Sequence, residues 1–81
     1  MNDQTDLLLG YLKANKTITA AEAMNVLGIG RLSARIFDLR AEGYDISMQL
    51  KSGRNRYGKA ISYGEYRLEA APDETGQLHF L

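Results

Sequence analysis

The chain contains no cysteine, one histidine and one proline in 81 residues. Without cysteine there is no disulfide framework, no thiolate metal site and no thiol nucleophile. The single histidine, His79, lies near the C-terminus. Serine–histidine catalysis would need an activated Ser beside it and a third orienting group, and no feature of the sequence supplies them. Long apolar runs are also missing: the longest is Leu7 to Leu9, far short of a membrane span or a signal-peptide core. The sequence therefore reads as a soluble, cytoplasmic chain without membrane contact. Net charge is absent too, with ten Lys or Arg against ten Asp or Glu, so attraction to a polyanion has to come from where the charges lie.

What is present is ordinary globular material. Apolar residues make up 44% and charged residues 25%, enough to fold one compact domain and no second. Leu8, Tyr11 and Leu12 share one helical face, with Asp3 or Thr5 as N-cap and a stop at Asn15, Lys16 and Thr17. A short extended step follows at Thr17-Ile18. Thr19-Ala20-Ala21-Glu22 then places a hydroxyl and a carboxylate three residues apart, the spacing of a capping box. Ala23, Met24 and Leu27 form the buried stripe of a second helix about two turns long, which Gly28 closes. Only Gly28-Ile29-Gly30 separates it from a third pattern, Leu32, Ile36 and Leu39, which Gly43 stops. So short a connection forces a steep crossing with Ile29 pinned inside it, a helix-turn-helix.

After Gly43 the period becomes two. Ile46, Met48 and Leu50 alternate with polar residues, as do Ile61, Tyr63, Tyr66 and Leu68 with one slip at Gly64 that reads as a bulge. Ser52 to Lys59 is polar and glycine-bracketed, as a long hairpin loop should be. The expected core is Leu8, Leu12, Ile18, Ala23, Leu27, Ile29, Leu32, Ile36, Leu39, Ile46, Leu50, Tyr66 and Leu68. Residues 1–68 form the expected domain. Residues 69–81 form an acidic tail that is disordered, docks on the core, or meets a protein partner through Leu78, Phe80 and Leu81.

Splitting the chain uncovers what the zero balance hides. Residues 1–30, 31–67 and 68–81 carry −1, +4 and −3. Residues 46–64 hold Lys51, Arg54, Arg56 and Lys59 with no acidic residue. A basic hairpin tip can lie along a nucleic-acid groove, where each neutralised phosphate releases counterions. The third helix opens with Arg31 and continues through Ser33 and Arg35, offering donors to phosphates and base edges. The plainer account of the basic ribbon is a solvated edge that discourages aggregation; its position directly after a helix-turn-helix favours DNA.

These residues carry a resemblance. Ile18 to Ala23, Leu27-Gly28-Ile29, Leu32 to Ile46 and Tyr63 to Leu68 together resemble the small winged helix-turn-helix proteins of bacteriophages and bacterial mobile elements. The resemblance covers about residues 5–68 and implies an α+β fold of three helices and a small antiparallel sheet, with the third helix in the major groove and the hairpin as wing. It assigns Arg31, Ser33 and Arg35 to the recognition helix and Arg54, Asn55 and Arg56 to the wing tip, to which the charge pattern of the hairpin adds Lys59 as an expected wing contact. Thr19 and Gly30 are the expected phosphate contacts at helix N-termini. Related sequences often carry Ser or Thr where this chain has Gly30, which can offer only its backbone amide. The expected partner is double-stranded DNA, bound by a homodimer on a palindromic site. The competing class is a protein-interaction module on the same fold.

Other constellations fail on chemistry. Gly53 to Ala60 has the glycine and lysine spacing of a P-loop, but Ala60 replaces the Ser or Thr that holds magnesium, and a strand follows where a helix is required. Asp38 and Glu42 lie one turn apart, yet Arg35 is three residues before Asp38, giving a surface charge cluster. No catalytic site, metal or cofactor is expected. Four of the five tyrosines fall at core-facing positions, and Tyr57 alone sits in the wing. Phe37 falls beside the buried stripe; partial exposure there would mark a subunit contact or contact with a thymine methyl group.

Overall fold

A computed structural model of the chain describes residues 3–73 and 77–80. Its first helix, α1 (Asp3–Asn15), has Asp3 and Asp6 in the first turn and Lys13 in the last, each complementing the helix dipole. Thr5, Leu8, Leu9 and Leu12 are its buried face. Lys16 takes a left-handed conformation at φ 73° and donates its N–H to Leu12 O at 2.8 Å, which ends the helix. Strand β1 (Thr17–Thr19) follows.

The capping box forms as the sequence implies. Thr19 Oγ1 accepts from Glu22 N at 3.2 Å and Glu22 Oε1 accepts from Thr19 N at 3.0 Å. Helix α2 begins with one α-helical turn, Ala20–Glu22, and continues as a π-helical segment, Ala23–Leu27. Gly28, at φ 70°, closes it, and Ile29 N–H reaches back to Ala23 O at 2.9 Å. Ile29 is 1% exposed and fills the angle between α2 and α3 (Leu32–Ala41). Gly43, at φ 102°, sits 3.3 Å from Pro72 at its would-be Cβ. A side chain there would be strained twice over.

Glu22 has a second task. Its Oε2 accepts from the Tyr11 hydroxyl at 2.9 Å, tying α1 to α2. That hydrogen bond first, then burial, then the carboxylate charge raise the Tyr11 pKa above its ordinary 10.0. A raised value means the phenol keeps its proton in the folded state after the unfolded chain has lost it. The stabilisation is therefore complete below pH 10.0 and lost as pH rises from there through the folded value. Alkaline unfolding followed by circular dichroism should show this loss in the native chain, and Tyr11→Phe should flatten the pH dependence in that range.

Strands β2 (Asp45–Arg54) and β3 (Ala60–Pro72) form a long hairpin, and β4 (Leu78–Phe80) completes an antiparallel sheet of four described strands. The order is β1-β3-β2. Because Ala70 pairs with both Asp45 of β2 and Phe80 of β4, β4 lies on the edge of β3 that also carries β1. The architecture is α+β, with three helices and an antiparallel sheet. Its core joins the α1 and α3 stripes to Ile18, Ile29, Ile46 and Leu68. No described helix is long and apolar enough to cross a membrane.

Five sequence expectations need correction. Met24, expected in the buried stripe of α2, is 53% exposed. The bulge lies between Asp45 and Ile46, whereas Gly64 pairs in register with Leu50. Ile61 and Tyr63 sit on the opposite face of β3 from Tyr66 and Leu68, so a change of apolar face imitates a slip. The loop is shorter than Ser52 to Lys59, since β2 runs to Arg54 and β3 starts at Ala60. Leu50, expected in the core, is 76% exposed: β1 ends at the Thr19–Glu65 pair, and Leu50 lies beyond it on the projecting ribbon. Finally, β3 continues past Leu68 to Pro72 with Ala70 fully buried. Of the expected tail surface, Leu78 is exposed, while Leu81 and the Phe80 side chain lie outside the described residues.

Candidate nucleic-acid interface

At the leading end of α3, Arg31 is the N-cap and its side chain makes no capping bond. The first amides of α3 therefore lack both an intrahelical acceptor and a cap from the Arg31 side chain, which leaves them open to solvent or to an external anion. Gly30 and Arg31 are exposed, and Arg31 has no ion-pair partner among the described residues. A cleft of about 370 Å³ runs here, lined by Ala20, Gly30, Arg31, Leu32, Ser33, Gly64 and Tyr66. One wall is thus the start of α3 and the other is the base of the hairpin. From Gly64 to Ala60 the strand advances about 14 Å towards the tip, at roughly 3.4 Å per residue.

The tip is built around Asn55. Its Oδ1 accepts from Tyr57 N at 2.9 Å and Lys59 N at 3.0 Å. Its own backbone N–H donates to Lys59 O and its carbonyl accepts from Gly58 N. Arg54 Nη1 donates to Gly58 O at 2.8 Å. Arg54 and Asn55 thereby shape the loop, and that loop holds out Arg56, Tyr57 and Lys59. Tyr57 is 85% exposed, and Arg56 and Lys59 have no ion-pair partner among the described residues. Lys51, further back on β2, is 3.7 Å from Glu65 Oε1. The positive charge is concentrated at the tip.

Along α3 the predicted residues separate. At 100° per residue, Arg35 points about 200° from Ser33, so the two cannot face one groove together. Arg35 Nε instead lies 3.0 Å from Asp38 Oδ2. Thr19 is committed differently: its hydroxyl is engaged in the capping box, and it lines an adjoining cleft of about 440 Å³ between the start of α2 and Ile61, Tyr63 and Glu65, which shares Ala20 and Gly64 with the first. The structure therefore groups Gly30, Arg31 and Ser33 with the hairpin, turns Arg35 away from them and commits the Thr19 hydroxyl to the capping box.

Sequence reasoning passes over Arg40. Its Nε and Nη2 donate to Ile46 O at 3.1 and 2.7 Å, and its guanidinium lies 6.0 Å from the centre of the Tyr66 ring. It clamps the end of α3 onto β2 and so fixes the angle between helix and hairpin. The available signal is its position seven residues after Ser33, on the same side of the helix.

Comparison with known proteins agrees with this arrangement. No curated protein gives a significant match to the chain. A family model described as winged helix-turn-helix domain matches residues 3–71, which span all three helices and the hairpin down to the buried end of β3. On that match, and with the helix-turn-helix and its hairpin in place, this chain belongs to the winged helix-turn-helix domain family.

Proposed function

We propose that this protein binds double-stranded DNA sequence-specifically and acts as a small transcriptional or recombination regulator of phage type. The observation that carries the reading is the shared cleft. Arg31, Ser33 and the uncapped amides of α3 stand on one side, and the base of a hairpin with free Arg56 and Lys59 at its tip stands on the other. A duplex seated there meets α3 in its major groove and the wing along the neighbouring backbone or minor groove. Arg31, Arg54, Arg56 and Lys59 supply the phosphate contacts, with Arg54 using the guanidinium nitrogens not committed to Gly58. A homodimer on a palindromic site would add the specificity that one small module lacks.

A fluorescence-anisotropy titration with random duplex tests the proposal. Four phosphate contacts predict a log–log salt slope of about −3.6. Absence of binding at low salt up to tens of micromolar protein, on the order of ordinary non-specific affinities, would overturn it in favour of a protein-interaction module.

A further inference from the structure

The outward face of α3 is short of the groups that usually read bases. Arg35 is held by Asp38 and Arg40 by the carbonyl of Ile46. Opposite the buried stripe of Leu32, Ile36 and Leu39, helical geometry leaves Ala34, Phe37, Asp38 and Ala41, with Ser33 on the flank beside Phe37 and the Asp38 charge already paired with Arg35. Phe37 is the only large side chain among these and is 71% exposed. It lies one turn beyond Ser33, so its face continues directly from the cleft between α3 and the wing.

An aromatic ring in water gains free energy only when an apolar surface covers it. In the major groove the edges of guanine, cytosine and adenine present donors and acceptors, and the C5 methyl group of thymine is the apolar feature. Ala34 and Ala41 beside the ring leave room for the helix to approach the base edges. Building on the DNA-binding reading above, we infer that Phe37 is a specificity-determining residue that selects thymine through its methyl group. This helix reads hydrocarbon at that position, while Arg31 at its start and the cations of the wing hold the backbone.

The test begins by selecting duplexes from a randomised pool with the native protein. The selected duplex is then remade with deoxyuridine replacing thymine at one position at a time, which removes only the methyl group. A buried methyl group is worth about 0.8 kcal/mol, or about fourfold in affinity. At least one substitution should weaken native binding by about that factor. Phe37→Ala should keep its circular dichroism spectrum and salt slope but bind the thymine and deoxyuridine duplexes equally. The inference is overturned if no position is methyl-sensitive, or if Phe37→Ala retains the preference. It is overturned equally if Phe37→Ala alters self-association in sedimentation while the preference stays. Failure of the native protein to bind any duplex would overturn the DNA reading itself, and the thymine readout with it.

Discussion

Arg56→Glu combined with Lys59→Glu should weaken duplex binding at low salt by a hundredfold or more while leaving the fold intact. Each lost charge-assisted contact to phosphate is worth about 1.5–3 kcal/mol, so two contacts exceed about 3 kcal/mol even before the new repulsion counts. Neither side chain has an ion-pair partner among the described residues, so their removal leaves nothing buried unpaired. Arg54 is a poorer choice for this test because its bond to Gly58 O helps shape the loop, and its loss would mix a structural effect with an electrostatic one. The neutral pair Arg56→Ala and Lys59→Ala supplies the quantitative check: the salt slope should fall from about −3.6 to about −1.8. An unchanged slope would take the wing out of the mechanism.

Ile29→Ala should cost about 2–5 kcal/mol, as expected for shortening a fully buried aliphatic side chain. A domain of this length has roughly 4–12 kcal/mol of total stability, so the loss takes a large share and lowers the melting temperature by about 10 °C or more. The site is also mechanical, because Ile29 fills the angle between α2 and α3. Affinity for DNA should therefore fall even under conditions where the variant remains folded. Leu50→Ala provides the contrast. Although equally apolar, Leu50 is exposed on the ribbon, and its loss should change stability by no more than about 0.5 kcal/mol. Thermal melts of the two variants side by side check the contrast, and equal losses would contradict it.

These isoleucine and leucine positions also show what the sequence can and cannot disclose. Thr19-Ala20-Ala21-Glu22, Gly28 and Gly43 are legible because local backbone chemistry dictates them: orphan amides need a cap, and left-handed positions favour glycine. Ile29 is legible because a three-residue connection leaves it nowhere else to go. Leu50 is not, since alternation tells which side of a strand a residue takes and not where the sheet runs out of helices to cover it. The apparent slip at Gly64 has the same origin. The strand pairing beyond Leu68 depends on β4, whose Leu78 pairs with Pro72, and no local pattern specifies that partner.

The candidate site divides along the same line. Charge segregation identifies the wing, and the glycine bracket identifies its tip. Which cations stay free is decided by hydrogen bonds inside the loop, where Asn55 and Arg54 are drawn into shaping it. Along α3, residue type suggests Arg35, whereas the 100° step and the Asp38 partner turn it aside. Arg40 carries no functional signal of its own until the carbonyl of Ile46 is seen to receive it.

The most direct measurement is an amide chemical-shift titration of the labelled protein with a short duplex at low salt. If the start of α3 and the wing tip meet one duplex together, Gly30, Arg31 and Ser33 should shift with Arg56, Tyr57 and Lys59 along a single binding isotherm, while α1 stays still. Shifts confined to α1 or β4, or separate isotherms for α3 and the wing, would contradict a shared DNA-binding face.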